Sequence, residues 1–459
     1  MTHLLSWHWR SLPLKKLTGS EVFERLYASE ATIATLLESP FPTPSDYPYL
    51  SRYSLCAGEP RIINGKPRLW TPKLGNILPF LQQLLMQTKG NLSSPEHLPF
   101  GGGWLGWLGY DLAWEIESLP HYNHDPLPFP VAYWYEPNSF AILDHLEQKL
   151  WLAGNTLQEL DDLQSKLETK SSPFPSSPKA SPSSLSFYTD QQEYEKAVCK
   201  AKKYIQAGDI FQANLSLRFQ TTTPLKSWQL YKKLQQINPS PFASYWRSPW
   251  GDMISCSPER LVSLNDNIAQ TRPIAGTRPR GANFQQETAM LMELSSDIKE
   301  RAEHIMLVDL ERNDLGKVCQ WGSVEVDELL TIERYSHVIH LVSNVKGKLS
   351  QEQTSIDLIK ALFPGGTITG CPKVRCLEII EELEPVKRNL FYGSCGYLDY
   401  RGNLDLNILI RTLLYTPLSP NLASVWGQVG AGIVADSDPE KEWFESLQKA
   451  KAQLKALNL

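Results

Sequence analysis

The second half of the chain contains many short strand-like runs whose spacing is typical of hairpins. Between residues 211 and 435, apolar and β-branched runs recur between turns rich in Gly, Pro, Asn and Asp. Few clean strand–helix–strand units are present, and long helical patterns occur near residues 285–310, 373–383 and 439–456. This arrangement predicts an α+β fold, in which antiparallel sheets are flanked by helices.

A Ser/Pro-rich segment, SSPFPSSPKASPSSLS at 171–186, separates two parts of the chain. It offers little that could be buried and is typical of a flexible linker or an exposed loop. We therefore predict an N-terminal subdomain over 1–165, a linker over 166–187 and a catalytic region over 188–459. The first part is expected to contain a helix near EVFERLYASEATIATLLES and strands near VAYWYEP, SFAILDH and KLWLAG.

Composition excludes several classes of protein. The 459-residue chain has a net charge of −5 and a pI of about 6.0, whereas a dedicated nucleic-acid binder carries a basic face. The seven cysteines form no CxxC pair, which suits free thiols in a reducing compartment. No apolar run approaches the roughly 20 residues that span a bilayer, and the first residues lack a signal-peptide pattern. We therefore expect a cytoplasmic protein that binds neither nucleic acid nor membranes.

Two glycine-rich stretches resemble nucleotide-binding motifs. GGGWLG at 101–106 matches G-x-G-x-x-G, but Trp104 and Trp107 fill the turn where a backbone must approach a pyrophosphate. GGTITGCPK at 365–373 lacks the Gly-Lys-Ser/Thr ending of a phosphate loop. We expect the first stretch to serve packing, and neither to bind a nucleotide.

Carboxylates on two helical stretches form a candidate Mg²⁺ site. Glu442, Glu445 and Lys449 in PEKEWFESLQKA lie three and four residues apart and share one helix face. Glu300 and Glu303 interrupt an apolar pattern in SSDIKERAEHIMLVDLERNDLG. Each residue alone is more typical of a solvated surface. Carboxylates from two helices that face an oxygen-rich ligand, however, suit a hard cation.

Glycines before two helices indicate an anion site. Gly430 and Gly432 end a strand-like run close to the helix that begins at Pro439, so backbone N–H groups can approach an anion. FPGGTITGCPK places further glycines before Pro372 at another helix start. Together with the arginines of TRPIAGTRPRG at 271–281, these features predict a small dianion held by metal, N–H groups and arginines.

Seven motifs, taken in order, resemble the chorismate-utilising enzymes. They are SPERL, RPIAGTRPRG, RAEHIMLVDLERNDLG, RYSHVIHLVS, FPGGTITGCPKVR, GNLDLNILIRT and GAGIVADSDPEKE. That family comprises anthranilate synthase component I, aminodeoxychorismate synthase component I, isochorismate synthase and salicylate synthase. LLESP, LSRYSLCAGEP and GGWLGWLGYDL in the first part are similar to the two amine-forming members. The resemblance implies one intertwined α/β sandwich, chorismate as the substrate and Mg²⁺ as the cofactor.

The resemblance also implies roles for individual positions. Glu303 and Glu445 match Mg²⁺ ligands, with Glu300 and Glu442 beside them. Glu259 matches the general acid that protonates the leaving C4 hydroxyl, so burial is expected to raise its pKa. Further matches are His340 near the reacting ring, Thr367, Gly430 and Gly432 at the ring carboxylate, Arg411 at the enolpyruvyl carboxylate, and Lys449 as a carboxylate-pairing lysine.

Gln212 indicates that the nucleophile is ammonia rather than water. The isochorismate and salicylate formers carry a lysine at this position to activate water, and glutamine is no such base. Ammonia implies a glutaminase. The chain shows no Cys-His-Glu amidotransferase motif of its own, so the resemblance implies a separate glutamine amidotransferase subunit as partner.

Two products are compatible with the resemblance. Ala275 stands where the best-known aminodeoxychorismate synthases carry a nucleophilic lysine and where anthranilate synthases carry alanine. Asn214 and the N-terminal motifs resemble aminodeoxychorismate synthases, and Phe391 replaces a substrate-facing tyrosine of anthranilate synthases. Some aminodeoxychorismate synthases lack the lysine. The resemblance therefore favours a lysine-free aminodeoxychorismate synthase, with anthranilate synthase as the alternative.

The stretch LLESP at 36–40 lies where anthranilate synthases bind tryptophan as a feedback inhibitor. Glu38 and Ser39 are therefore candidates to meet the ammonium group of an amino-acid effector. The alternative is that this stretch is only a helix end followed by a loop.

Overall fold

The computed structural model describes residues 7–29, 31–40, 48–87, 94–169, 184–280, 284–296, 298–334 and 338–459. The helices in these ranges are α1 (Gly19–Leu26), α2 (Ile77–Met86), α3 (Ala113–Ile116), α4 (Leu157–Glu168), α5 (Gln191–Ala207), α6 (Ser227–Ile237), α7 (Phe284–Ser296), α8 (Ile298–Gly316), α9 (Ser355–Leu362), α10 (Lys373–Leu383) and α11 (Pro439–Ala456). Among these described helices, none combines the length and the apolar character that crossing a membrane requires.

The strands from the first part of the chain are β1 (His8–Pro13), β2 (Ala34–Glu38), β3 (Tyr53–Ala57), β4 (Ile62–Ile63), β5 (Lys66–Pro67), β6 (Leu69–Trp70), β7 (Gly103–Leu108), β8 (Ala132–Tyr135), β9 (Ser139–Asp144) and β10 (Lys149–Gly154). Those from the second part are β11 (Ser186–Phe187), β12 (Gln212–Thr223), β13 (Phe242–Ser248), β14 (Gly251–Ser257), β15 (Arg260–Asn265), β16 (Ile268–Thr271), β17 (Ile274–Pro279), β18 (Glu325–Arg334), β19 (Val338–Lys348), β20 (Gly370–Cys371), β21 (Ser394–Asp399), β22 (Leu404–Asn407), β23 (Thr412–Ser419) and β24 (Leu422–Ile433).

Both large sheets combine strands from the two parts of the chain. The first runs β1-β10-β9-β3-β2-β13-β14-β23-β24-β12-β11, with β20 paired to β12. The second runs β17-β19-β16-β15-β22-β21-β7-β8-β6, with β18 paired to β19. The crossings between the parts are the antiparallel pairs β2–β13 and β7–β21. The α+β prediction and the intertwined arrangement are thereby confirmed.

The main hydrophobic core lies between the two sheets. Trp107 on β7 packs edge-to-face against Trp246 on β13, with ring centroids 5.9 Å apart, and both are buried. The stretch GGGWLG is therefore a core strand. A side chain at Gly106 would collide with the carbonyl of Tyr133 on the neighbouring strand. The predicted packing role agrees with this placement, because aromatic rings from both sheets fill the space that a cofactor would need.

The predicted helix over EVFERLYASEATIATLLES is wrong in its second half. Thr18 and Glu21 form a capping box that starts α1, and the helix ends at Leu26. Residues 34–38 instead form β2, between β3 and β13. Ala34, Thr35 and Leu36 are completely buried. A strand buried on both faces lacks the polar–apolar alternation that distinguishes strand from helix in a sequence.

Helices α7, α8, α10 and α11 lie close to the predicted helical stretches, whereas α4 and α6 were not predicted. Asp190 caps α5 through a capping box with Glu193, and Gly208, with a φ of 83°, ends it in the left-handed conformation. Asp438 caps α11, which begins at Pro439. These two helices pack against each other beside β12 and β24. They therefore support the strands that carry Gln212, Gly430 and Gly432.

The predicted linker is bounded by regular structure on both sides. Helix α4 continues to Glu168, and β11 pairs with β12 from Ser186. Residues 170–183 lie outside the described residues. The division into subdomains at 165 and 188 stays a prediction, because both sheets draw strands from each side of it.

Candidate active site

Strands β12 and β24 bring three of the predicted site residues together. They pair antiparallel, so that Gln212 at the start of β12 lies against Gly432 near the end of β24. A side chain at Gly432 would collide with the Gln212 amide, and one at Gly430 would collide with the carbonyl of Leu215. Glycine is thus required at 430, where the obstacle is backbone, whereas at 432 a side chain would have to displace the Gln212 amide.

Two cations lie near the backbone of Gly430–Gly432, which we call the glycine strip. Lys449 donates from Nζ to the carbonyl of Gly430 at 3.0 Å and pairs with Glu445 at 2.9 Å. Arg411 donates from Nη1 to the carbonyl of Lys449 at 2.5 Å. Burial lowers the pKa of Arg411. The structure therefore places two positive groups where the resemblance implies carboxylate binding.

Glu259 lies between β14 and β15 and is buried. Its carbonyl accepts from the backbone N–H of Ile408 at 3.0 Å, which fixes the local backbone. Burial raises the pKa of its carboxyl to about 8; the Thr367 hydroxyl lowers the value in part, and the nearby carboxyl of Glu311 raises it. The side chain is therefore a neutral acid at neutral pH, which is the state that a proton donor needs.

A short helical turn connects Glu259 to β12. Thr367 lies in the 3-10 turn Gly366–Ile368, which is followed by β20. Strand β20 pairs with the start of β12, where Gln212 is opposite Cys371. The backbone N–H of Asn214 also donates to the carbonyl of Thr369 at 2.8 Å. The turn that carries Thr367 thus lies next to Glu259 and next to Gln212, the residue that indicates ammonia as the nucleophile.

His340 is a buried neutral imidazole on β19. Burial lowers its pKa to about 4, and the charge of Arg411 lowers it further. His340 lines a small cavity together with Pro258 and Arg260, the neighbours of Glu259 in the sequence. At neutral pH its ring carries no charge, so it can accept or donate a hydrogen bond without repelling a cation.

The stretch TRPIAGTRPRG forms part of β17, which pairs with β19. Ala275 is the extra residue of a β-bulge, because Ile274 pairs with Val342 and Gly276 with Leu341. The side chain of Ala275 lies outside what the structure describes. Arg272, just before this strand, is paired with acidic side chains.

The guanidinium of Arg272 is held by acidic residues of β18. It donates to Glu333 at 2.6 Å and to Glu328 at 2.5 Å. These acids lie about 60 residues further along the chain, so their proximity depends on the strand pairing and not on local spacing. Arg272 is thus held in place by an ion pair, and the expectation that arginines of 271–281 bind a dianion stays a prediction.

The carboxylates predicted to hold Mg²⁺ lie on α8 and α11. Glu442 is buried in the first turn of α11, and the Glu445 side chain is 54% exposed. Glu303 is partly buried on α8, whereas the side chain of Glu300 lies outside the described set. Among the side chains that the structure describes, no group of three His, Cys, Asp or Glu is gathered closely enough to bind a metal ion. The chemistry of the four carboxylates nevertheless fits Mg²⁺, which prefers oxygen donors.

Tyr392, rather than Phe391, presents its aromatic side chain to the glycine strip. The Phe391 ring is buried in the core, 5.3 Å from the guanidinium of Arg218. The Tyr392 hydroxyl lies 2.9 Å from the position that a Cβ at Gly430 would take. Tyr392 has a φ of 64°, a conformation that is uncommon for a bulky residue and that turns its side chain away from that of Phe391.

The sequence gave no signal for Tyr392, because the left-handed backbone conformation determines which of two adjacent aromatic residues faces the strip. Its ring packs on the guanidinium of Arg388 at 4.6 Å. Glu384 holds that guanidinium from the other side at 2.6 Å. Tyr392 is therefore fixed in place by a buried ion pair.

A cavity of about 130 Å³ lies beside Ser39, and Tyr53, Phe242 and Asn407 contribute to its wall. Ser39 donates from its hydroxyl to the carbonyl of Tyr53 at 2.8 Å. The Glu38 carboxylate is engaged elsewhere. It accepts from the Ser20 hydroxyl at 2.7 Å and from the Tyr231 hydroxyl at 2.6 Å. Both predicted effector residues line this cavity, and the polar groups of both side chains already have hydrogen-bond partners.

A family profile described as chorismate binding enzyme matches residues 46–455. The chain belongs to this family. Anthranilate synthase component I from Streptococcus pneumoniae has a similar structure, with a TM-score of 0.74 and 32% identity, over 88% of this chain and 92% of that chain. The fold and the order of the motifs are therefore those of a chorismate-binding component I.

Three relatives differ in how much of the chain they match. The anthranilate synthase component I-like protein of Synechocystis sp. is 65% identical over 100% of this chain and 93% of its own length. Aminodeoxychorismate synthase component 1 of Bacillus subtilis is 39% identical over 98% of this chain and 97% of its own. Anthranilate synthase component 1 of Synechocystis sp. is 40% identical, but over 83% and 81%.

Proposed function

We propose that the chain is component I of an aminodeoxychorismate synthase, which converts chorismate and ammonia into 4-amino-4-deoxychorismate. The observation that carries this proposal is the extent of the matches. The aminodeoxychorismate synthase of Bacillus subtilis matches 98% of the chain and 97% of its own length, whereas the anthranilate synthase of Synechocystis sp. matches 83% and 81%. Sequence identity is nearly equal in the two comparisons. Similarity along the whole length therefore favours 4-amino-4-deoxychorismate as the product.

The two Synechocystis proteins support the same proposal. That organism has a protein named anthranilate synthase component 1, which is 40% identical to this chain. It also has the component I-like protein, which is 65% identical. Our chain is thus more similar to the second protein, in an organism where the first already supplies anthranilate. The component I-like protein is therefore a candidate for the other amination of chorismate, which forms 4-amino-4-deoxychorismate.

Glu259 would act as the general acid. In the proposed reaction ammonia adds at C2 of chorismate while Glu259 donates its proton to the departing C4 hydroxyl, which leaves as water. A second ammonia then adds at C4 and displaces the first amine. Because burial raises the pKa of Glu259 to about 8, its proton is available at neutral pH.

The glycine strip would bind and orient the substrate. Arg411 and Lys449 supply positive charge for the two carboxylates of chorismate, and the Tyr392 hydroxyl can donate a hydrogen bond beside Gly430. Gln212 would orient ammonia, because its amide oxygen can accept from N–H while the residue itself is no base.

Mg²⁺ would complete the carboxylate site. Glu303, Glu442 and Glu445, together with Glu300, would hold the ion. When bound, it would draw electron density toward the ring carboxylate and so favour attack on the ring. The partly exposed pair between Glu445 and Lys449 would keep one ligand carboxylate oriented, at an N–O distance of 2.9 Å.

Incubation of the chain with chorismate, Mg²⁺ and an ammonium salt tests the proposal. We expect 4-amino-4-deoxychorismate, which yields p-aminobenzoate only after a lyase is added. The matched control replaces the ammonium salt by a sodium salt at equal ionic strength. Fluorescent anthranilate formed directly, together with pyruvate, would contradict the proposal. That result would support anthranilate synthase, the alternative favoured by alanine at position 275.

A further inference from the structure

A second buried carboxyl, that of Glu311 on α8, lies close to the proposed general acid. Its Oε1 atom is 3.9 Å from the position that a Cβ at Gly366 would take, so the carboxyl packs against the turn Gly366–Ile368. Burial has the largest effect on the pKa of Glu259; the Thr367 hydroxyl of the same turn lowers this pKa, and the Glu311 carboxyl raises it. The two carboxyls therefore border one turn and interact with each other.

The surroundings of Glu311 leave its carboxyl able to hold a proton. Among the residues that the structure describes, no lysine or arginine forms an ion pair with it. Lys373 is bound elsewhere, because it donates to Asp314 at 2.7 Å and to the carbonyl of Leu362 at 2.8 Å. Burial raises the pKa of Glu311 to about 7; the charge of Lys373 and the Thr271 hydroxyl lower it in part, and Asp314 raises it. Near neutral pH Glu311 can thus both hold and release a proton.

The C-terminal end of α8 leads from Glu311 towards solvent. Asp314 follows Glu311 by three residues and so lies on the same face of the helix. Its carboxylate pairs with Lys317 at 2.8 Å, and the exposed fraction of the side chain rises from 3% at Asp314 to 55% at Lys317. Glu311 therefore lies between the proposed general acid and a charged group that reaches the surface.

The proposed reaction takes one proton from Glu259 in every turnover. Ammonia adds at C2, the bond between C4 and its oxygen breaks, and the Glu259 proton leaves with the hydroxyl as water. When a second ammonia forms its bond to C4, the first nitrogen leaves C2 as ammonia, and the new amine keeps its third proton and a positive charge. Glu259 is then a carboxylate, and it must regain a proton before it can act again as an acid.

We propose that Glu311 returns this proton to Glu259 between turnovers. The inference rests on the proposed function. The O–H bond of Glu311 breaks, an O–H bond forms on Glu259, and Glu311 takes a replacement proton from solvent on the side of Lys317. Glu311 thus acts through Glu259 rather than on the substrate itself.

Two observations support a transfer in this direction. Burial raises the pKa of Glu259 to about 8 and that of Glu311 to about 7, so the proton moves to the group that binds it more strongly. The Thr367 hydroxyl is buried and forms no hydrogen bond of regular geometry with a described residue. A hydroxyl can accept one proton while it donates another, so Thr367 is suited to carry the proton across the turn.

The rates of the first and the later turnovers test the inference. The chain is mixed with Mg²⁺, an ammonium salt and an excess of chorismate at neutral pH in a rapid-quench apparatus, and the chorismate consumed is measured. Glu311→Gln removes the acid and keeps the size of the side chain. We expect its first turnover to stay within about twofold of the wild-type rate, because Glu259 starts protonated, and its later turnovers to slow about tenfold. Wild type should show no such burst.

Two further variants serve as controls. Glu311→Asp retains a carboxyl and should show no burst. Glu381→Gln makes the same change at a buried carboxyl of α10, which accepts from the backbone N–H groups of Tyr122 and Asn123 at 2.8 and 2.9 Å. We expect it to leave the first and the later turnovers at the wild-type rate.

Three results would overturn the inference. Wild-type rates for all turnovers of Glu311→Gln would show that Glu259 regains its proton without Glu311. Equal slowing of the first and later turnovers would show that Glu311 only supports the site. A burst in Glu311→Asp as large as that in Glu311→Gln would show that the acid is not the cause. Failure of the proposed function is distinguishable, because wild type would then consume no chorismate or would form anthranilate, and the burst is measured on chorismate whichever product forms.

Discussion

Glu259 carries one buried proton, which affects both the stability of the protein and its proposed turnover. Burial raises the pKa of its carboxyl from 4.5 to about 8. Between these values the folded chain binds a proton that the unfolded chain releases, so the associated stability is complete below pH 4.5 and is lost as the pH rises through 8. At about 1.4 kcal/mol for each pH unit, the raised pKa of Glu259 contributes about 5 kcal/mol to the free energy of unfolding.

Urea unfolding of wild type and Glu259→Gln at pH 5 and pH 8 measures this contribution. The glutamine is neutral at both values, so the variant should lose about 4 kcal/mol less stability than wild type over the interval. The burial of Glu311 also raises its pKa, to about 7, but Glu311 is present in both proteins. Its contribution therefore largely cancels in the comparison. If the free energy of unfolding depended on pH in the same way in both proteins, Glu259 would not be a buried neutral carboxyl.

The same variant tests the catalytic role. Glu259→Gln should lose about 10²–10⁴-fold in kcat, because a general acid acts mainly in the transition state, and should retain its affinity for chorismate. Wild-type kcat should fall above pH 8, where the carboxyl loses its proton. A raised KM with an unchanged kcat would show that Glu259 only supports the shape of the site.

Three further predictions concern the metal, the substrate carboxylates and the effector cavity. Glu303→Gln or Glu445→Gln should nearly abolish turnover at saturating Mg²⁺, and steady-state activity within about threefold of wild type, or less than 1 kcal/mol, would count against metal binding there. Tyr392→Phe should raise the KM for chorismate about tenfold and leave kcat unchanged, as expected for one lost hydrogen bond to a carboxylate; an unchanged KM would place its hydroxyl outside the substrate contacts. If the cavity beside Ser39 is regulatory, tryptophan should inhibit the initial rate and Ser39→Phe should relieve the inhibition, whereas no effect of tryptophan would leave the cavity structural.

Local signals in the sequence were sufficient for most of the helices and for the fold class. Helix α5 begins at a capping box formed by Asp190 and Glu193 and ends at Gly208, and each of these signals depends on adjacent residues only. Strand β2 differs because its pairing with β13 joins residues about 200 positions apart. Its burial on both sides could not be read from the stretch itself.

For the site residues too, some placements follow from neighbouring residues in the sequence, and others depend on residues that are distant in the sequence. The burial of Glu259, which the resemblance to a general acid implies, is found in the structure. Glu38 and Ser39 both line the cavity, but the Glu38 carboxylate is bound by Ser20 and Tyr231, and Tyr231 lies about 190 residues away in the sequence. Tyr392 was missed because the choice between it and Phe391 depends on one backbone angle.

The cavity beside Ser39 shares part of its wall with a second cavity next to Glu259, so we predict that a ligand bound beside Ser39 would affect the candidate active site. A second, smaller cavity is bounded by Phe242 and Arg260, as the first one is, and it extends to Pro258 and His340. Pro258 and Arg260 flank Glu259 in the chain, and Arg260 is held by two hydrogen bonds of 2.9 Å to Asp405. A ligand that displaced the shared wall would therefore move Glu259, the proposed general acid, whereas the contact of Lys449 with the glycine strip lies on other elements. Inhibition through this cavity should consequently lower kcat more than it raises the KM for chorismate.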